Sequence, residues 1–311
     1  MQLKSSPGIY FKIFSISTLV IAATLVLNLF ISSADRDSSK IHSSGMHPVT
    51  APSFPLPNRP SFAGEALPMD RRDIRESLDR EILVNAYWHS QTLLFIKRSS
   101  RFFPIIEPIL KEQGVPDDFK YLALIESSFI PTSQSPAGAV GIWQFMKDTA
   151  KRYGLEVETE VDERYHIEKS TVAACKYLKE AYARFGNWTT AAASYNAGLT
   201  GITRQQTRQQ EQGYFDLYFG EETARYVFRI VAVKEILNNP LKYGFSVPAE
   251  ELYQPWETQE VEVKGPVVSF AEFAKSHGTT YKQIKTLNPW LREAFLTNKP
   301  GKTYQIKVPK E

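Results

Sequence analysis

Between about residues 71 and 245, apolar side chains recur every three to four positions, a spacing that predicts a succession of helices with almost no strand. In "MDRRDIRESLDREILVNAYWHSQTLLFIKRSSRFFPIIEPILKEQG" the stripes come from Ile74, Leu78 and Ile82 and then from Leu93, Leu94 and Ile96, with Pro104, Pro108 and Gly114 as punctuation. A new helix opens at "VPDDF", where a proline and acidic residues occupy the first turn. "IWQFMKDTAKRYG" sets Trp143, Met146, Ala150 and Tyr153 on one face, turns Lys147, Lys151 and Arg152 away, and stops at Gly154. "STVAACKYLKEAYARFG" repeats the pattern with Ala174, Leu178, Ala181 and Phe185 and closes at Gly186. "NWTTAAASYNAG" predicts a short helix of small residues ending at Gly198, and "EETARYVFRIVAVKEILNNP" a long one that stops before Pro240.

The texture changes after "SVPAEELYQPWETQ". "VEV" at 261–263 alternates like a strand, "SFAEFAKSHG" and "TYKQIKTLNPWL" read as two short helices, and "TYQIKVP" at 303–309 closes with a second strand. At the other end, 35–70 is rich in Ser, Pro and His without periodicity and reads as a flexible linker. Before it, Lys4 and Lys12 precede a stretch from Ile13 to Ser33 that carries no charge, with Asp35 and Arg36 after it. Its length suits a bilayer-spanning helix of about 20 residues, and "SSA" at 32–34 also fits a small-residue cleavage site. Signal peptide and signal anchor both fit, and either way the protein is expected to be exported to the periplasm or cell envelope. The division that follows is 1–34 export segment, 35–70 linker, 71–245 all-helical domain and 246–311 small α+β module.

Composition narrows the chemistry. With 37 basic and 34 acidic residues the formal charge is +3, too mild for a dedicated nucleic-acid binder. The single cysteine, Cys175, excludes an internal disulfide and reads as a small buried hydrophobe; no Cys/His cluster has zinc-like spacing, so neither metal nor cofactor is expected.

One charge stands out inside an apolar run. In "YLALIESSFIPT" (121–132), Glu126 shares a helix face with Phe119, Leu122 and Phe129. A carboxyl turned into a packed side is desolvated, its pKa rises, and a protonated carboxyl near neutral pH is what a general acid requires. The alternative is a structural glutamate paired with a base such as Lys120. The polar, Gly/Pro-rich loop that follows, "SSFIPTSQSPAGAVG", favours a cleft, with Gly138 and Gly141 permitting close backbone approach and Gln144 placed to offer an amide.

Taken together, "ESSFIPTSQSPAGAVGIWQFMKDTAKRYGL", "VDERYHIEKSTVAACKYLKEAYARFGNWTTAAASYNAG" and "EETARYVFRIVAVKEI" resemble, in order and spacing, the soluble lytic transglycosylase family, which is related to goose-type lysozyme. The likeness is greatest to the membrane-bound D type, which carries C-terminal modules. The resemblance implies a mainly α, lysozyme-like fold and non-hydrolytic cleavage of the β-1,4 bond between N-acetylmuramic acid and N-acetylglucosamine in peptidoglycan, leaving a 1,6-anhydro end. It makes Glu126 the acid and then the base. It places Ser127, Ser135, Gln144 and Met146 along the cleft, Tyr195 and Asn196 in the family's "AYNAG" motif (here "SYNAG", with Ser194 for alanine), and Glu222 and Tyr226 in its "ETxxYV" block. Tyr195 would help stabilise developing charge, and Ser127 or Ser135 would position the glutamate or the acetamido group. Glycan strands are the expected partner, together with the membrane if the N-terminal helix is retained.

Residues 246–311 resemble a LysM-type glycan-binding repeat in "FAEFAKSHGTTYKQIKTLNP" and the last strand, but read "GPVVS" at 265–269 where "GDT" is usual. The module is then either a substrate anchor or a packing domain that covers the catalytic unit. Of the exposed-or-core candidates for sugar stacking, Trp143 and Trp188 fall on helical stripes, whereas Trp256 and Trp290 do not. Two rival functions stay in view. A hydrolytic muramidase needs a second carboxylate, with Asp148 or Glu156 as candidates; a non-catalytic peptidoglycan-binding scaffold needs none.

Overall fold

The computed structural model describes residues 52–310, so the uncharged stretch 13–33 and residues 35–51 of the expected linker lie outside the described residues. Among the described residues no helix is long and apolar enough to cross a membrane. From Phe54 onward the chain forms one compact unit.

Its larger part is helical. A two-residue hairpin, β1 (Ser61–Phe62) and β2 (Glu65–Ala66), leads into α1 (Arg72–Tyr87), α2 (His89–Glu112), α3 (Phe119–Ser127), α4 (Lys147–Arg152), α5 (Ile167–Phe185), α6 (Trp188–Ala197), α7 (Leu199–Gln209) and α8 (Glu221–Asn238). The stripes read from sequence are the buried ones: Ile74, Leu78 and Ile82 on α1, Ala174, Leu178 and Ala181 on α5, and Val227, Ile230 and Val231 on α8. α8 lies along α1 and also meets α3 and α6, which makes it the post around which the site helices gather. Glu81 of α1 is buried and bound to Arg225 of α8, with Nε to Oε1 at 2.6 Å. α2 runs unbroken through Pro104 and Pro108. The hydrogen bonds those prolines forfeit are offset by burial of Phe95, Phe102, Ile106 and Leu110 along the same helix.

Three expectations need correction here. The linker does not extend to residue 70: Phe62 and Leu67 are buried in the main core and Phe54 and Leu56 pack against it. Trp143 and Met146 are not on a helix with Ala150, because α4 begins only at Lys147 and Met146 is its exposed N-cap. Phe129 is buried, but it follows the end of α3 and does not continue its face.

The smaller part pairs β3 (Thr258–Val263) with β4 (Tyr304–Pro309) antiparallel, in a register from Thr258 opposite Pro309 to Val263 opposite Tyr304. α9 (Phe270–Ser276) and α10 (Tyr281–Leu287) cover the sheet, capped at their N-termini by the hydroxyls of Ser269 and Thr280. Its core of Phe270, Ile284, Trp290, Leu291, Leu296, Tyr304, Ile306 and Val308 also contains Val140, Val161 and Tyr165 from the helical part. The two parts therefore share a hydrophobic core.

Candidate active site

α3 ends where the chemistry begins. Its C-cap, Ser128, and the next residue, Phe129, both take positive φ, 54° and 51°, an uncommon conformation for residues with a Cβ. This double left-handed step turns the chain sharply away one residue past the last helical turn and leaves Glu126 at the mouth of the helix. Glu126 keeps part of its surface open to solvent, yet its carboxyl lies deep enough among protein atoms for desolvation to dominate and raise its pKa to about 7. A hydrogen bond from the Tyr226 hydroxyl to Glu126 Oε1 and the positive charge of Arg229 pull the other way, while the neighbouring negative charge of Glu222 adds to the rise. Lys120, the alternative partner, is bound to Glu107 and Asp117 instead.

α8 supplies the first wall. Glu222, Tyr226 and Arg229 recur at helical spacing, so the face that presents the hydroxyl to Glu126 also carries one charge of each sign. Tyr226 is buried, and desolvation together with the adjacent carboxylate holds its hydroxyl well above its ordinary pKa, so it remains a donor.

α6 supplies the second wall. Asn187 caps its N-terminus by accepting from Thr190 N at 2.8 Å, and Glu65 of the hairpin accepts from the Trp188 and Thr189 amides, placing a carboxylate at the positive end of the helix dipole. At the other end Tyr195 donates its hydroxyl to the Trp143 carbonyl at 2.7 Å, and desolvation plus the nearby Glu126 charge keep it protonated. Asn196 donates to Glu222 Oε1 at 3.0 Å and accepts from Thr223 at 2.7 Å, tying α6 to α8.

The loop 133–146 is tied to α6 through the Trp143 carbonyl that Tyr195 holds. Short antiparallel bridges pair Val140 with both Gln134 and Phe145. Arg164 holds the loop from behind: its guanidinium donates to the carbonyls of Gly138 and Phe145, both at 3.2 Å, and is neutralised by Asp162 at 2.7 Å. Gly141 sits against the Arg164 carbonyl at φ 79°, where an added Cβ would lie 2.0 Å from that oxygen. Only glycine fits there.

The residues expected from sequence thus divide. Glu126, Tyr195, Asn196, Glu222 and Tyr226 converge. Ser127 does not face the cleft: it is buried, its hydroxyl donates to the Ala123 carbonyl at 3.1 Å and accepts from Phe129 N at 3.2 Å, and so stabilises the end of α3. Ser135 accepts from Ala139 N at 3.1 Å, and the Gln144 amide donates to Gly141 O at 2.7 Å, so both are engaged in shaping the loop. Met146 is exposed at its end. Of the possible second carboxylates, Asp148 is exposed on α4, and Glu156 is bound to Lys302 at 2.9 Å and Tyr304, on the side of the C-terminal module. Arg229 was not anticipated; the "ETxxYV" spacing continued by three residues points to it.

The sequence of these elements is similar to that of known proteins. Residues 103–217 match the transglycosylase SLT domain, and 259–311 match the soluble lytic transglycosylase C-terminal LysM-like domain. The chain is 28% identical over 259 residues to membrane-bound lytic murein transglycosylase D of Escherichia coli, a span that is 81% of this chain and 55% of that protein. It therefore covers about half the length of that relative. It is 34% identical over 119 residues to peptidoglycan transglycosylase gp16 of Escherichia phage T7, covering 38% of this chain and 9% of the phage protein. Among solved structures, an inactive mutant of lytic transglycosylase Slt from Pseudomonas aeruginosa aligns at a TM-score of 0.37 and 23% identity, over 49% of this chain and 26% of that one. The first match encloses Glu126, the loop held by Arg164, and Tyr195 with Asn196, while Glu222 and Tyr226 on α8 lie beyond it. On these two matches the chain carries a region similar to the transglycosylase SLT domain followed by one similar to the soluble lytic transglycosylase C-terminal LysM-like domain.

Proposed function

We propose that this protein is a peptidoglycan lytic transglycosylase that cleaves the N-acetylmuramic acid to N-acetylglucosamine β-1,4 bond without water. The observation that carries the reading is the carboxyl of Glu126, whose pKa of about 7 leaves it substantially protonated near neutrality, held by a tyrosine hydroxyl at the end of a helix inside the region that matches the SLT domain. Glu126 donates its proton to the departing glycosidic oxygen, and the C1–O bond breaks as positive charge grows at the muramic acid C1. The N-acetyl oxygen of the same sugar shares that charge, which removes the need for a second protein carboxylate. Glu126, now ionised and stabilised by Tyr226, accepts the proton of the C6 hydroxyl as O6 bonds to C1, giving the 1,6-anhydro ring and restoring the acid.

Tyr195 is engaged by the Trp143 carbonyl, which favours a role in holding the loop against the cleft and in directing its oxygen dipole there. The positions of Asp148 and Glu156 favour this reading over a hydrolytic one. Work at the cell envelope fits both the substrate and the export segment, whether that segment is removed or retained as an anchor.

Glu126→Gln tests the assignment. Release of anhydro-muropeptides from purified cell wall, read by mass spectrometry, is expected to fall by at least about a thousandfold, as loss of an essential acid–base group does. Unchanged turnover defeats the assignment, and free reducing ends in place of anhydro ends from the wild type identify hydrolysis.

A further inference from the structure

A second recess lies away from the acid, between α2, the segment that leaves α3 and the C-terminal module. It is a cavity of about 430 Å³. Ile130 and Pro131, four and five residues beyond Glu126, line one side; Tyr253 and Trp256, from the connector into β3, line another. Arg98 and Arg101 enter from one face of α2, three residues apart.

The electrostatics of this recess are unbalanced. Arg101 lies against two rings, its guanidinium carbon 5.3 Å from the centroids of both Tyr253 and Trp256, and its Nε donates to Gln254 O at 3.0 Å. Arg98 spends one N–H on Ser128 O at 2.9 Å. Among the described residues neither guanidinium has a carboxylate partner, whereas the other charged pair lining the cavity, Lys307 and Glu168, neutralises itself. Burial disfavours the charged form of Arg101, and no acidic neighbour compensates. Two half-buried arginines, each with N–H donors left over, beside an exposed indole and an apolar floor, make a receptor for a carboxylate attached to a small aliphatic or amide group.

We propose that this recess binds a carboxylate of the peptide stem on the muramic acid, with Arg98 and Arg101 as its ligands and Trp256 packing on the stem. This rests on the proposed function for its substrate, since peptidoglycan supplies both glycan and anionic peptide. It adds selection for strands that still carry their peptides, separate from the groove that holds the sugars.

The full chain with Glu126→Gln, to prevent turnover, is titrated calorimetrically with a soluble disaccharide–tetrapeptide, with the same disaccharide lacking peptide, and with the tetrapeptide alone. The tetrapeptide is expected to bind saturably. Adding Arg101→Gln is expected to weaken the peptide-bearing ligands at least about tenfold, the cost of one lost charge-assisted hydrogen bond, and to leave the bare disaccharide unchanged. Arg101→Lys, which keeps the charge, is expected to recover part of the affinity and so separates lost recognition from a damaged fold. Absence of tetrapeptide binding, or equal weakening of all three ligands, overturns the proposal. The two readings fail separately: tetrapeptide binding is measured without cleavage, and anhydro-product release by the wild type is measured without reference to Arg101.

Discussion

At the scale of single residues, the site is an exercise in setting one proton affinity. Desolvation, helped by Glu222 and restrained by Tyr226 and Arg229, raises the pKa of Glu126 to about 7. Activity is therefore expected to decline as pH rises through about 7, because the donating form is lost. Two substitutions move that limb in opposite directions. Glu222→Gln removes a negative neighbour, lowers the pKa and shifts the limb to lower pH; Arg229→Met removes a positive neighbour and shifts it to higher pH. Profiles of kcat/KM against pH check both, and a shared direction refutes the electrostatic assignment. Stability follows by linkage. The folded value lies above the ordinary 4.5, so the contribution of Glu126 is present below about pH 4.5 and is lost as pH rises through about 7. Replacing it with the neutral amide in Glu126→Gln is expected to stabilise the chain by about 3 kcal/mol above pH 8, with no gain near pH 4. Thermal melts at the two pH values read this directly.

At the scale of elements, the loop 133–146 has no regular structure of its own and is held by one arginine and one glycine. Gly141→Ala places a methyl group against the Arg164 carbonyl and strains a backbone at φ 79°. A loss of at least about 2 kcal/mol is expected, with activity falling further than stability because the loop carries the carbonyl that Tyr195 grips. Urea denaturation and turnover on cell wall measure the two effects. The same loop shows what sequence makes legible. Helices with a broad apolar face and a glycine stop, such as α5 ending at Gly186, are read directly from spacing. Glu126 is legible because a charged group amid apolar neighbours is conspicuous, whereas Tyr195 and Tyr226 are legible only through the resemblance of "SYNAG" and "ETARYV" to family motifs. "IWQFMK" misleads because Trp143 and Phe145 are buried by the bridges across Val140, so helical spacing there is a coincidence of tertiary packing. α7 escapes because only Leu199 and Ile202 of its residues are buried. The hairpin at 61–66 escapes because two-residue strands have no period, although its Glu65 caps the helix that carries Tyr195. Arg229 resembles an ordinary solvated helix charge until the fold brings Glu126 beside it.

At the scale of the whole molecule, the C-terminal module is built into the helical part. Val161 bridges Leu291, Asp162 N donates to Trp290 O at 2.9 Å, and Arg292 N donates to Glu160 O at 2.8 Å while its guanidinium stacks over Tyr165 at 4.1 Å. The contacts fall on both sides of Asp162 and Arg164, the pair that holds the active-site loop, and Val140 of that loop lies in the shared core. None of this is readable in the sequence, because it depends on single residues far apart along the chain, without a motif. An anchor joined by a flexible connector is dispensable on soluble substrate; a module that completes the core is not. Removing residues 257–311 strips cover from Val140, Val161 and Tyr165, a loss on the order of 5 kcal/mol at about 1.5 to 3 kcal/mol for each buried side chain. The truncated chain is therefore expected to melt well below the full one and to lose activity on short soluble glycan strands as well as on intact cell wall. Full activity on the soluble strands, with a deficit confined to the insoluble wall, is the result that identifies the module as a tether.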